Sequence, residues 1–185
     1  MEIKIKLTSE DGQSEIIVFA HSGNSDLSMN KTQHQCTVVE KCLAQILDCE
    51  VVEVGHHPSG APFLPAFKEH RISISHSENL YAIQLSQTKN VGIDVQVIKK
   101  DLFEGRSYFV NDDEEKNLNL TNENLYLIWS AKEAVYKLKK GEIKKYKEGM
   151  TVLEIGSTSL VVRVDDEVIN CSFSIQEDFL VLYTD

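Results

Sequence analysis

The chain has 185 residues, 42% of them hydrophobic, and a formal net charge of −10 from 19 Lys and Arg against 29 Asp and Glu. That length buries a core as one domain or as two small ones, and the acidic balance excludes the broad basic surface of a general nucleic-acid binder. No apolar run approaches the roughly 20 residues of a membrane-spanning helix, so no membrane partner is expected.

The start, Met1-Glu2-Ile3-Lys4-Ile5-Lys6-Leu7, alternates polar and apolar like a strand and lacks the apolar centre of a signal peptide, so a cytoplasmic location is expected. Strands are predicted at 2–8 and 14–20, followed by a loop at 21–32 rich in Ser, Asn and Asp. A helix is predicted at about 33–48, with Val39, Cys42, Leu43, Ile46 and Leu47 on one face. A loop carrying Pro58, Gly60, Pro62 and Pro65 leads to strands at 71–76 and 80–86, joined by a tight turn, and strand 91–95 closes this half. The acidic stretch 111–124, with Asp112, Asp113, Glu114 and Glu115, reads as a solvated loop in preference to a cover over a ligand cleft. A second helix is predicted at about 123–140, then a lysine-rich loop and strands near 151–155, 159–164, 169–175 and 179–184.

A weak internal repeat links Ile72-Ser73-Ile74-Ser75-His76-Ser77-Glu78-Asn79-Leu80 to Cys171-Ser172-Phe173-Ser174-Ile175-Gln176-Glu177-Asp178-Phe179. Each hairpin follows one amphipathic helix. The expected fold is therefore α+β: two similar halves, 1–95 and 96–185, each a small antiparallel sheet with a packed helix, related by pseudo-twofold symmetry. A cleft between the halves is the expected ligand site. The four cysteines, at 36, 42, 49 and 171, include no C-x-x-C pair, so they read as reduced thiols rather than zinc ligands.

Three segments carry candidate chemistry. In an extended strand Gly92, Asp94 and Gln96 share one face, so the acid and the amide point at one object, and Gly92 leaves room for it. The bland alternative is that Asp94 begins a turn. In the second helix Ser130, Glu133, Lys137 and Lys140 form a polar stripe. Glu133 and Lys137 stand in the favourable order for a surface ion pair worth about 0.2–0.5 kcal/mol, and that reading stands beside one in which both line a site. Ser75-His76-Ser77 ends a strand, either as ordinary polar residues or as donors to a phosphate. Lysines 132, 137, 139, 140, 144, 145 and 147 cluster, either as a solvated helix end or as a patch facing an anionic ligand or acidic partner.

In their order, Gly60-Ala61-Pro62-Phe63, Ser75-His76-Ser77, Gly92-Ile93-Asp94 and Trp129-Ser130-x-Lys132-Glu133-x-x-x-Lys137 resemble the 4′-phosphopantetheinyl transferase superfamily. The resemblance is to the surfactin-synthetase-activating type, with two halves in one chain. The resemblance implies an Mg²⁺-dependent transfer of the phosphopantetheine arm of coenzyme A to a serine of an acyl, peptidyl or aryl carrier protein. It assigns Asp94, Gln96 and Glu133 to the metal, and Glu133 and Lys137 to catalysis. Ser75, His76, Lys132 and Lys31 fall to coenzyme A. It also implies a monomer, since both halves of the site lie in one chain.

This sequence departs from the family at three places. Gln96 stands where the family often has a second acid, Ala61 where its motif has lysine, and segment 31–35 lacks the usual arginine. These departures favour the alternative of a non-catalytic relative that binds carrier protein or nucleotide without transfer. A plain interaction domain, with Glu133 and Lys137 as a surface pair, is the third reading.

Overall fold

The computed structural model describes residues 1–22, 31–99 and 101–185, with Lys31 described through its backbone only. The central part of the expected loop at 21–32 lies outside the described residues. The chain is mixed α+β with antiparallel sheets. In the first half β1 (Glu2–Thr8), β2 (Ser14–Ala20), β5 (Arg71–Ser77) and β6 (Leu80–Ser86) form one sheet in the order β1-β2-β6-β5. Helix α1 (Lys31–Ile46) covers one face. The short hairpin of β3 (Gly55–His56) and β4 (Pro62–Phe63) connects it to β5.

In the second half, β7 (Ile93–Val97), a 3₁₀ turn (Arg106–Tyr108), α2 (Asp112–Asn117) and α3 (Asn122–Leu138) come before four more strands. These are β8 (Met150–Ile155), β9 (Ser159–Val164), β10 (Glu167–Ile175) and β11 (Phe179–Thr184). Their sheet runs β7-β11-β10-β9-β8. Both halves contain a strand, a helix and a hairpin whose last strand pairs with the first: β2-β6-β5 and β7-β11-β10. They are unequal beyond that kernel, since β1 extends one sheet past β2 while β9 and β8 extend the other past β10.

The burial pattern explains which strands are amphipathic. β2 reads Ile16-Ile17-Val18-Phe19 without alternation because both of its faces are covered, as expected for a strand buried on two sides. Ile17 and Phe19 meet Val38, Val39, Cys42 and Leu43 of α1. Ile16 and Val18 face the second sheet, meeting Ile93, Val95, Phe179, Val181 and Tyr183 together with Leu80 and Ala82. Beneath the second sheet, α3 buries Leu125, Ile128, Ala131 and Val135 against β8–β11. β1 is the opposite case: as an edge strand it alternates, and it carries Lys4 and Lys6, which discourage pairing with another chain.

Two features differ from the sequence expectation. The strand near 91–95 belongs by its ladder to the second sheet, with Val95 opposite Val181 and Asp94 opposite Leu182. The acidic stretch is not a solvated loop. Asn111 caps α2 by accepting from the backbone N–H groups of Asp113 and Glu114, and Glu114 returns a bond to the Asn111 N–H, which makes a capping box. Glu114 itself is fully buried.

The halves meet along β5 and β7. Ser73 Oγ accepts from Ile93 N at 3.1 Å, Ser77 Oγ accepts from Val97 N at 3.1 Å, and Ser75 Oγ donates to Asp94 Oδ1 at 2.8 Å. On the far side Gln84 Nε2 donates to Thr184 O at 2.8 Å and to Ser14 Oγ at 2.9 Å. Among the described residues no helix is long and apolar enough to cross a membrane.

Candidate functional site

A cavity of about 560 Å³ opens between the halves. Its volume lies in the range of small-molecule sites. One wall is the β3–β4 hairpin, where Gly60, Ala61, Pro62 and Phe63 line the space. Gly60 sits at φ +85°, a conformation that favours glycine, and this turns the hairpin tip. Lys68, His70 and Arg71 follow as the chain enters β5, and the opposite wall is the C-terminal end of α3, with Glu133, Lys137 and Lys140. The lining thus carries four cations and one carboxylate, with Lys137 also paired to Asp94 outside it, in a chain whose net charge is −10. A concave, partly apolar surface focuses such a field on a bound anion.

Beside the cavity lies a closed knot around Asp94. Its side chain is 3% exposed. Oδ1 accepts from Ser75 Oγ at 2.8 Å and from Lys137 Nζ at 2.9 Å, while Oδ2 accepts from Gln96 Nε2 at 2.8 Å. The strand period of two therefore brings Asp94 and Gln96 to one point, as the sequence predicts. Lys137 Nζ also donates to Ile93 O at 2.9 Å. The space at Gly92 serves the helix rather than a ligand, because a Cβ there would stand 2.0 Å from Ala134 O and 2.9 Å from Leu138 N. Only a residue without a side chain lets α3 come this close to β7, and that approach brings Lys137 within reach of Asp94.

Glu133 and Lys137 do not pair with each other. Lys137 turns to Asp94, and Glu133 Oε1 accepts from Tyr146 Oη at 2.7 Å. Tyr146 lies among aromatic rings, 6.1 Å from Trp129 and 5.8 Å from Tyr136 by centroid. Burial, reinforced by the Glu133 carboxylate, raises its phenol well above the ordinary value, so it remains a donor. The surface ion-pair reading of the helix is thereby replaced by two separate anchors.

The residues expected to hold coenzyme A fare differently. Ser75 is buried and spent on Asp94, while Ser73, two residues earlier, reaches the cavity. His76 is exposed, lies 6.2 Å from the Tyr81 ring by centroid, and does not line the cavity. Lys132 is a correction. It is fully buried, and its ammonium donates to Glu114 Oε2 at 2.8 Å, Phe109 O at 2.6 Å and Lys147 O at 3.1 Å, which uses all of its hydrogens. Burial lowers its pKa and the Glu114 charge opposes that shift. The side chain of Lys31 lies outside the described residues.

The lysine cluster therefore divides. Lys132 is internal, Lys137 and Lys140 line the cavity, Lys139 pairs with Glu167, and Lys147 donates to Ser107 O. Lys68, His70, Arg71 and Tyr146 carry no motif, and sequence reasoning missed them. The signal for Glu114 was present in Asn111-x-x-Glu114, a capping-box spacing.

Among the described residues no group of three or more His, Cys, Asp or Glu side chains is placed to hold a metal. The donor types at Asp94, Gln96 and Glu133 nevertheless suit a hard cation. Mg²⁺ is commonly held by one or two carboxylates, with phosphate oxygens completing its shell, and Gln96 turned about its amide presents an oxygen where its nitrogen now stands. No protein-family model matches the chain, and no curated protein matches it in a sequence search.

Proposed function

We propose that this chain is an Mg²⁺-dependent 4′-phosphopantetheinyl transferase, carrying the arm of coenzyme A to a serine of an apo-carrier protein. The observation that carries the reading is the meeting of Gly60–Phe63, Glu133 and Lys137 in one basic cavity of an acidic chain. These segments are the ones that resemble the family, and the folding of two halves brings them together. Lys68, Arg71 and Lys140 add the charge that a pyrophosphate and a ribose phosphate require.

In this reading Glu133, held in place by Tyr146, accepts the proton of the carrier serine. The serine oxygen bonds to the phosphorus of the phosphopantetheine arm, the pyrophosphate P–O bond breaks, and adenosine 3′,5′-bisphosphate leaves. Lys137 and Lys140 compensate charge on the leaving phosphate, since such transfers are governed by positioning and charge neutralisation. Asp94, Glu133 and Gln96 would hold Mg²⁺, which would add to the neutralisation of the pyrophosphate.

The second reading, a relative that binds nucleotide or carrier protein without transfer, draws on the full engagement of Asp94 by Ser75, Gln96 and Lys137. Mass spectrometry of apo-carrier proteins incubated with the chain, coenzyme A and Mg²⁺ separates the two. An EDTA-sensitive gain of the arm, lost in Glu133→Gln, is expected. Coenzyme A binding that weakens in Arg71→Gln, with no transfer to fatty-acid, polyketide or peptide carriers, would instead establish the binder.

A further inference from the structure

The geometry points to Lys137 as a resident counter-ion that closes Asp94 to a divalent cation until an anionic ligand draws the ammonium away. Anion then binds first and metal second. The inference deepens the transferase reading and rests on it for the identity of the anion.

A buried carboxylate needs compensation, and Asp94 already has it. Its side chain is 3% exposed, and its oxygens accept from a hydroxyl, an ammonium and an amide. Ser75 approaches from β5, Gln96 from two residues along β7, and Lys137 from α3, so three elements close the carboxylate. A dication and the Lys137 ammonium cannot share Oδ1 in a site screened from water, because like charges at contact repel strongly there. Metal affinity is accordingly low while the lysine stays.

Lys137 is the partner able to leave. It is anchored by Asp94 and Ile93 O, and its side chain is 26% exposed on the cavity wall. Glu133, one turn earlier, accepts from Tyr146 through Oε1 and does not pair with Lys137. An anion in the cavity provides a second partner a few ångströms from the first, along a stem with four rotatable carbons. Asp94 does not itself line the cavity but lies behind Lys137, so once the ammonium turns to the anion its carboxylate loses its charge partner and opens toward the ligand phosphate, and a carboxylate with a phosphate is the donor pair that Mg²⁺ prefers. By linkage the metal must then tighten the anion by the same factor.

The test uses the full chain and Mn²⁺ as the probe, with free Mn²⁺ read by electron paramagnetic resonance against protein-free controls. Wild type alone is expected to bind Mn²⁺ at least tenfold more weakly than wild type with coenzyme A. Lys137→Met, without any anion, is expected to bind Mn²⁺ at least tenfold more tightly than wild type alone, and to melt higher when Mn²⁺ is added. Lys137→Gln, which keeps a donor to Asp94 without the charge, provides the same comparison if the methionine variant does not fold. Asp94→Asn should abolish the gain in each background.

Equal Mn²⁺ affinity in wild type with and without coenzyme A, or no gain in either lysine variant, overturns the proposal. The two readings fail separately. Mn²⁺ coupling without transfer to any carrier leaves the gate and removes the transferase, whereas transfer with uncoupled Mn²⁺ binding removes the gate alone.

Discussion

Replacing Lys132 by Met tests whether the residue after Ser130 and Ala131 is structural or binds ligand. Both Lys132 and Glu114 have fully buried side chains. The substitution keeps much of the volume but removes three donors. Phe109 O and Lys147 O lose a partner, and Glu114 keeps only the N–H groups of Asn111 at 2.8 Å and Val152 at 2.7 Å. Removing one member of a buried pair typically costs about 3–5 kcal/mol. The two remaining N–H bonds stabilise the carboxylate and place the expected loss near the lower end, about 3 kcal/mol at pH 7.5. That is a large share of the roughly 5–15 kcal/mol that holds a domain.

The loss is that of a buried carboxylate deprived of its counter-ion, and it is read at pH 7.5. Urea unfolding reads it through the sole tryptophan, Trp129, whose ring meets Phe109 edge-on at 5.3 Å. With a slope of about 2 kcal/mol/M, the midpoint should fall by about 1.5 M. A loss under about 1 kcal/mol at pH 7.5 refutes the argument. Normal stability with lost coenzyme A binding would return Lys132 to the ligand.

Gly92→Ala puts a Cβ 2.0 Å from Ala134 O, a backbone atom that only a shift of α3 can move. The cost should reach the upper end of about 1–3 kcal/mol for overpacking, and a denaturation midpoint equal to wild type would show that the helix does not need this approach. Tyr146→Phe removes the donor to Glu133 and should lower transfer more than stability at pH 7.5. Because burial and then Glu133 raise the Tyr146 phenol above 10.0, its contribution to stability is whole below pH 10.0 and fades as pH rises beyond it. The stability gap between wild type and variant should therefore narrow in strong alkali, and a constant gap would contradict the assigned bond.

The long strands and both long helices were legible because their periods are set by burial on one face or two. β2 could be read as a strand from its continuous Ile16-Ile17-Val18-Phe19 run, and the shared face of Asp94 and Gln96 from the strand period. β3 and β4 are two residues each and offer no period to read. α2 was hidden by its charges: Asp112, Asp113, Glu114 and Glu115 look solvated, yet one of them is the most buried acid of the half. The cavity was legible only in part. Glu133 and Lys137 could be taken from a helical stripe, but Lys68 and Arg71 enter through the docking of two halves. Lys132 misled for the converse reason, since a lysine among lysines gives no sign that it has turned inward.

The serine seam between β5 and β7 has a consequence for heredity. A main-chain ladder is indifferent to which side chains the strands carry, so most point mutations cannot sever it. Here the Ile93 and Val97 N–H groups depend on the hydroxyls of Ser73 and Ser77. A single-nucleotide change at either serine can thus unfasten backbone hydrogen bonds, and the register between the two halves is written in genes at single codons rather than in the shared chemistry of the peptide.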